Sequence, residues 1–115
     1  MNFDEAISAH LAWRLKFSSY LQKPDGSLNP AEVGSEIRCD LGKWIAGDGL
    51  EFFRLPEFRK LKLEHARFHK AAAELVGRAN RGEKAAAEVE LGARSEFASA
   101  STAVVLAIKG MKAKS

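Results

Sequence analysis

The chain has 115 residues, of which 46% are apolar and 29% charged, and it includes seven Phe, two Trp and one Tyr. This length and composition indicate one folded domain over residues 1–115 and exclude a disordered tail. The low content of proline (three) and glycine (nine) argues against an all-β barrel. The net charge of just +3 gives no sign of a polyanionic partner.

The sequence also bears on the compartment. No apolar run approaches the roughly 18 residues that a membrane span needs. The N-terminal residues 1–5 include two acids and lack the basic start and apolar stretch of a secretory signal. Cys39 is the single cysteine, so it has no partner for an internal disulfide, as is usual in a reducing environment. We therefore expect a cytoplasmic protein without membrane insertion.

Apolar residues spaced by three and four predict a first helix from Phe3 to about Leu21. This spacing places His10 on the inward face of the helix. The turn-forming residues 23–26 should end it.

A second helix is predicted to begin at Pro30, capped by Asn29, or alternatively at Ser35. It should end at Gly47. Its apolar side carries Ile37, Leu41, Trp44 and Ile45. A second side holds the small residues Cys39, Gly42 and Ala46, so a neighbouring helix could approach Cys39 closely.

Residues 50–55 are predicted to form a tucked connection whose aromatic side chains close one end of the fold. A third helix should run from Pro56 to about Ala79. Its inward stripe is Phe58, Leu61, His65, Phe68, Ala72, Leu75 and Ala79. His69 lies one turn after His65 on the same side.

Residues 80–82 should break the chain before a fourth helix from about Glu83 to Met111. Its inward stripe is Val89, Ala93, Phe97, Ala100, Val104, Ala107 and Met111. The face is widened by Leu91, Ala98, Val105 and Ile108, which favours a homodimer. The predicted fold class is all-α, an antiparallel four-helix bundle with helices of roughly 12 to 29 residues.

Histidine and cysteine are the residues that suggest chemistry. His65 and His69 are four residues apart on one helical face, so both rings can reach one metal ion, or they are simply core or surface histidines. His10 is either a buried histidine bonded to a hydroxyl or carbonyl group, or a further ligand. Cys39 is either a small buried apolar residue or a thiolate ligand.

Taken together, these residues supply three imidazoles and one thiol from three helices. That donor set fills a tetrahedral Zn²⁺ site between the first, second and third helices. Around it, Trp13 and Trp44 either limit water access or fill the core. The carboxylates of Glu36, Asp40 and Glu64 either accept hydrogen bonds from the imidazoles or are solvated surface charges.

The sequence resembles the chemoreceptor zinc-binding (CZB) domain family over about residues 3 to 110. Three motifs, in the family's order, carry the resemblance: His10-x-x-Trp13, Cys39-x-Leu41-Gly42-x-Trp44-x-x-Gly47 and His65-x-x-Phe68-His69. The resemblance implies a four-helix bundle that commonly dimerises. It also implies that His10, Cys39, His65 and His69 are the zinc ligands.

By the same resemblance, the domain is a cytoplasmic regulatory module of bacterial chemotaxis or cyclic-di-GMP signalling. It would sense zinc, or oxidants such as hypochlorous acid, through the zinc-bound Cys39. No methyl-accepting coiled coil or cyclase domain accompanies it in this sequence. We therefore expect either a stand-alone member or one domain of a larger receptor, with a chemoreceptor or cyclase module as candidate partner.

The sequence supports other functions less well than sensing. In a non-sensory interaction or dimerisation module, zinc would be only a structural staple. An enzyme is not expected, because a filled tetrahedral site leaves no position for a water nucleophile and the H-E-x-x-H pattern is absent. A di-iron bundle would need inward carboxylates on all helices. Nucleic-acid binding is not expected either, because the sequence shows no surface that combines aromatic and basic residues.

Overall fold

A computed structural model describes residues 2–35, 39–86 and 94–114. Within these ranges all regular structure is helical and no strand occurs, which confirms the all-α class. The elements are α1 (Phe3–Gln22), α2 (Pro30–Val33), α3 (Asp40–Ala46), a 3-10 helix (Asp48–Phe52), α4 (Pro56–Asn80) and α5 (Glu96–Lys114). None of the described helices combines the length and apolar character that crossing a membrane requires.

The first helix agrees with its prediction. The side chain of Asn2 accepts a hydrogen bond from the backbone N–H of Glu5 at 3.0 Å and so caps the start of α1. Asp4 and Glu5 lie in the first turn, where the helix dipole favours negative charge. After the helix ends at Gln22, Gly26 adopts a φ of +82°, which a glycine tolerates without strain.

The prediction of one long second helix is wrong. The start at Asn29 and Pro30 is confirmed, but α2 ends at Val33, and neither Gly34 nor Ser35 is helical. The end of α2 lies close against α4, since a Cβ atom on Gly34 would be 3.1 Å from the Cβ of Ala73. Ile37 lies outside the described residues.

Cys39 therefore does not lie on the face of a helix. It is the N-cap of α3, and its Sγ accepts a hydrogen bond from the backbone N–H of Gly42 at 3.3 Å. The expected helix lengths are met by α1, α4 and α5, whereas α2 has four residues and α3 has seven.

The predicted aromatic connection is half right. Phe52 ends the 3-10 helix and packs beside Trp44, with ring centroids 5.9 Å apart. Phe53, by contrast, is 56% exposed and closes nothing within the described chain.

The third predicted helix is α4, and its prediction is confirmed. Pro56 is at its first position, where the missing N–H costs nothing, and the helix extends to Asn80. All seven residues of the predicted stripe are buried, and so is His69.

The last helix starts later than predicted. Residues 83–85 are not helical, and α5 begins at Glu96. The side chain of Ser95 accepts a hydrogen bond from the N–H of Ala98 at 3.0 Å, which caps this start. The predicted positions Val89, Leu91 and Ala93 lie outside the described residues.

The remaining stripe of this helix is buried as expected: Phe97, Ala100, Val104, Ala107 and Met111. Ala98 and Ile108 are buried as well. Since these two residues pack within the chain, they no longer indicate a surface for a second copy.

The core lies mainly between α4 and α5, which make the most extensive contact of the described helices. Rings from α1, α4 and α5 meet at its edge. Phe17 stacks on Trp13 with centroids 4.8 Å apart, and Phe97 lies 5.0 Å from Phe68. The Phe68 ring also contacts two of the histidines, with its centroid 4.7 Å from that of His10 and 5.5 Å from that of His69.

Candidate metal centre

One cavity brings the four predicted ligand residues to a common space. Its volume is about 530 Å³. It is lined by residues of α1, α3 and α4 and by two caps: Asn2, Glu5, Ala6, Ala9, His10, Trp13, Cys39, Asp40, Leu41, His65, Phe68 and His69. All four predicted ligand residues therefore line one cavity.

Three of the four residues form a compact group of donor atoms. The Cys39 Sγ lies 3.2 Å from the Nε2 of His65 and 3.6 Å from the Nε2 of His69. The two Nε2 atoms are 3.0 Å apart. Tetrahedral zinc, with Zn–N distances of about 2.0 Å and Zn–S of about 2.3 Å, keeps its donors about 3.3 to 3.6 Å apart. The three residues thus fit a zinc ion in both donor type and spacing.

The regular geometry of α4 fixes both histidines. They are one turn apart, buried to 3% and 8% exposure, with their rings 4.5 Å from centroid to centroid. The Nδ1 of His69 is 2.8 Å from the carbonyl oxygen of Val33. A carbonyl only accepts, so Nδ1 carries the hydrogen and Nε2 presents a lone pair to Cys39 and His65.

Cys39 reaches this pair from the start of α3. Burial raises the pKa of its thiol, and this outweighs the opposing effect of the Gly42 N–H. Zinc, when bound, supplies the positive charge that keeps such a thiol deprotonated.

His10 lies in the cavity but outside the compact group, which contains donors within 4.8 Å of one another. Its Nε2 is 2.9 Å from the Oγ of Ser101 on α5. Its ring packs on Phe68 with centroids 4.7 Å apart. This contact matches the alternative expectation of a buried histidine bonded to a hydroxyl group.

Burial keeps two of the imidazoles neutral. It lowers the pKa of His65 to about 3, with smaller contributions from His69 and His10. It lowers the pKa of His10 to about 4, helped by Arg14 and His69. Neutral imidazole is the form that binds a metal, so no proton has to be removed from these rings near neutral pH.

The predicted surroundings are partly found. Trp13 lines the cavity, whereas Trp44 packs against Phe3, with ring centroids 5.5 Å apart. Glu64 pairs with Arg67 at 2.7 Å, and Asp40 lines the cavity. Glu36 lies outside the described residues.

Two partners of the histidines were missed in the sequence. The Val33 carbonyl is a backbone group, which no residue pattern marks. Ser101 could have been noticed as a polar residue on the inward side of α5, one position after Ala100 in the predicted stripe.

The chain also matches a known protein family. The family model for the chemoreceptor zinc-binding domain matches residues 10–76, more than half of the chain. Comparisons with curated proteins and with solved structures gave no match. The matched segment contains all four predicted ligands, and its Cys39, His65 and His69 cluster supports Zn²⁺ as the cofactor. The family is one of regulatory zinc-binding domains rather than of enzymes. This chain belongs to the chemoreceptor zinc-binding domain family.

Proposed function

We propose that the chain is a regulatory, non-catalytic domain of bacterial signalling, of the chemotaxis or cyclic-di-GMP type. It senses zinc, oxidants such as hypochlorous acid, or both through Cys39. The observation that carries the proposal is the Cys39 sulfur, within 3.2 Å and 3.6 Å of two buried imidazoles at the wall of a cavity.

The ligand set of the proposal is His10, Cys39, His65 and His69. His65 and His69 are already aligned by α4, and Cys39 faces both. His10 has to turn away from Ser101 to complete the set. In this arrangement α2 and α3 take the place of one helix of an antiparallel four-helix bundle.

The sensing step uses the reactivity of a thiolate. The Cys39 thiolate donates an electron pair to hypochlorous acid, gains its OH as sulfenic acid and releases chloride. Sulfur is oxidised by two electrons and chlorine is reduced by two. A sulfenic acid is a poorer ligand than a thiolate, so the link between Cys39 and the α4 histidines weakens.

The position of Cys39 converts this loss into a change of structure. The same sulfur accepts the N–H of Gly42 at the start of α3. When the sulfur changes, the cap of α3 and the contact of Cys39 with the α4 histidines weaken together. A neighbouring domain or a second copy of the chain can detect such a shift.

The proposal includes a cytoplasmic homodimer and a chemoreceptor or cyclase module as partner. Exposed leucines on α1 and α5 offer apolar surface for a second copy. Leu15 is 73% exposed and Leu106 is 59% exposed. A monomer in light scattering at high concentration would contradict this part.

A second candidate function is a non-sensory interaction module in which zinc only staples the fold. The short helices α2 and α3 favour it, because a four-residue and a seven-residue helix need outside support. A staple and a sensor respond differently to zinc removal: a staple unfolds, whereas a sensor changes shape and stays helical.

The experiment titrates the zinc-loaded protein with hypochlorous acid, and separately with a chelator, while recording zinc release, helicity and oligomeric state. We expect zinc release with most of the helicity kept. Cys39→Ser should bind zinc more weakly and lose the oxidant response. His65→Ala is the matched control, because it removes a ligand and keeps the sulfur.

Three results would decide against sensing through Cys39. Loss of helicity in step with zinc release favours the staple. Full zinc affinity in Cys39→Ser removes the sulfur from the site. Oxidant-driven zinc release that persists in Cys39→Ser assigns the reaction to another residue.

A further inference from the structure

Ser101 is a polar residue in an apolar part of α5. Its exposure is 0%, and the buried polar side chains of the described residues are only His65, His69 and Ser101. Val104, one turn further along the helix, is buried too. A buried hydroxyl group at such a position costs free energy unless it is bonded, so its partners matter.

Both side-chain partners of Ser101 come from α1. The Nη1 of Arg14 donates a hydrogen bond to Ser101 Oγ at 3.2 Å. The same oxygen lies 2.9 Å from the Nε2 of His10. The guanidinium of Arg14 also lies over the Phe97 ring, 5.7 Å from its centroid. These contacts hold the His10 ring against Ser101 of α5, outside the donor group formed by Cys39, His65 and His69.

In the described structure, the His10 ring that contacts Ser101 lies outside the donor group. His10 uses Nε2 for Ser101, and neither of its ring nitrogens belongs to the group formed by Cys39, His65 and His69. A ring that bonds Ser101 therefore has to move before it reaches the other three donors. His10 lines the same cavity as these three donors.

We propose that Ser101 is a positioning residue that competes with zinc for His10. The inference rests on the proposed zinc site. His10 has two alternative partners, the hydroxyl group of Ser101 and the metal ion. When the ring turns to zinc, α1 gives up a polar link to α5, and α5 thereby responds to zinc occupancy.

The test is Ser101→Ala with zinc affinity measured by competition with a chelator. A typical hydrogen bond contributes a free energy equivalent to about a two- to tenfold change in affinity. We expect the variant to bind zinc more tightly by that factor, because His10 no longer has a competing partner. Ser99→Ala is the matched control: Ser99 lies two residues away on α5 and bonds Arg67. It should leave zinc affinity unchanged.

A double-mutant cycle separates this role from a merely structural one. In a His10→Ala background, Ser101→Ala should have no effect on zinc affinity. An equal gain in both backgrounds, no gain in the single variant, or a loss of affinity would each overturn the inference. A loss would mean that Ser101 supports His10 in the zinc-bound form.

A measurement on the unchanged protein does not depend on any variant folding. Nuclear Overhauser contacts between the His10 ring and the Ser101 methylene protons should be present after chelator treatment and absent with zinc. Persistence of the contact with zinc bound contradicts the proposal. Failure of the wild-type chain to bind zinc would instead overturn the proposed function itself, so the two failures are distinguishable.

Discussion

Two parts of the chain meet at the metal cavity, and they are built differently. The α4 part is one continuous helix of 25 residues that places two buried imidazoles one turn apart. The opposite part, residues 30–35 and 39–46, contains two short helices among these described residues, and its donor Cys39 is a helix cap. The first part fixes donor geometry in advance, whereas the second holds its donor through a few local contacts. In such a site the two histidines of α4 can stay in place while the segment that carries Cys39 moves.

If α4 provides the fixed half of the site, removing a donor there should have the largest effect. We expect His65→Ala or His69→Ala to reduce zinc affinity by more than about 100-fold, since loss of an outer-shell partner alone costs about 10- to 100-fold. The reduction should exceed that of Cys39→Ser. Chelator competition and metal analysis measure it.

Glu74→Ala is the control for this experiment, because Glu74 is exposed on the same helix. It should bind zinc as the wild type does. Metal content that stays unchanged in either histidine variant would show that the α4 pair is not the fixed half of the site.

The second prediction concerns pH and the zinc-free protein. The unfolded chain takes up protons on histidine below the ordinary pKa of 6.5, whereas the folded protein does not do so until a pKa of about 4 at His10 and about 3 at His65. Between these values the unfolded state binds more protons, so the free energy of unfolding falls as pH falls. Each group contributes at most about 1.4 kcal/mol per pH unit in this window.

Urea unfolding in the presence of a chelator at pH 7, 6 and 5 measures the effect. The unfolding midpoint should decrease over this range, and His10→Asn should make the decrease shallower. An unfolding midpoint that does not change between pH 7 and 5 would mean that both rings are as accessible to protons as in the unfolded chain.

The difference between the two parts also explains what the sequence could predict. Periodicity predicted α1 and α4 closely, because each buries one regular apolar face that the pattern displays directly. It also placed His10, His65 and His69 on inward faces, and all three line the cavity. The break before Cys39 had no such signal, since Leu41 and Ile45 continue a helical spacing past it.

That break depends on contacts that form only in the folded chain. The Val33 carbonyl, which a continuing helix would use for its own hydrogen bond, contacts His69 instead. Cysteine is also not among the preferred N-cap residues, so Cys39 gave no sign of a helix start. The late start of α5 was different, because Ser95 is a standard N-cap residue that could have been recognised.

The third prediction tests the link between the short helices and the fixed pair. Gly34→Ala would place a methyl group 3.0 Å from the Pro30 oxygen and 3.1 Å from the Ala73 Cβ. Overpacking of this kind costs about 1–3 kcal/mol of stability. The displaced Val33 carbonyl would also hold His69 less well, so zinc affinity should fall by up to about tenfold.

Gly110→Ala is the matched control, since the nearest atom to its Cβ would be the flexible Glu57 side chain at 3.4 Å. It should leave zinc affinity unchanged and stabilise α5 slightly. Equal effects of the two substitutions on zinc affinity would mean that α2 does not position His69.

The smallest effect is expected far from the cavity. The hydroxyl group of Tyr20 donates to the Asn80 side chain at 2.7 Å and accepts the N–H of Gly26 at 3.1 Å, which joins the ends of α1 and α4. Tyr20→Phe should lower the free energy of unfolding by about 0.5–1.5 kcal/mol. Zinc affinity should not change, because Tyr20 is ten residues, about 15 Å, along α1 from His10. Asn80→Ala should have a similar effect on stability, and the two substitutions together should be less than additive. If Tyr20→Phe lowered zinc affinity as much as Gly34→Ala does, a general loosening of the fold would be enough to weaken the site. The contrast between α4 and the segment that carries Cys39 would then not be a property of the site itself.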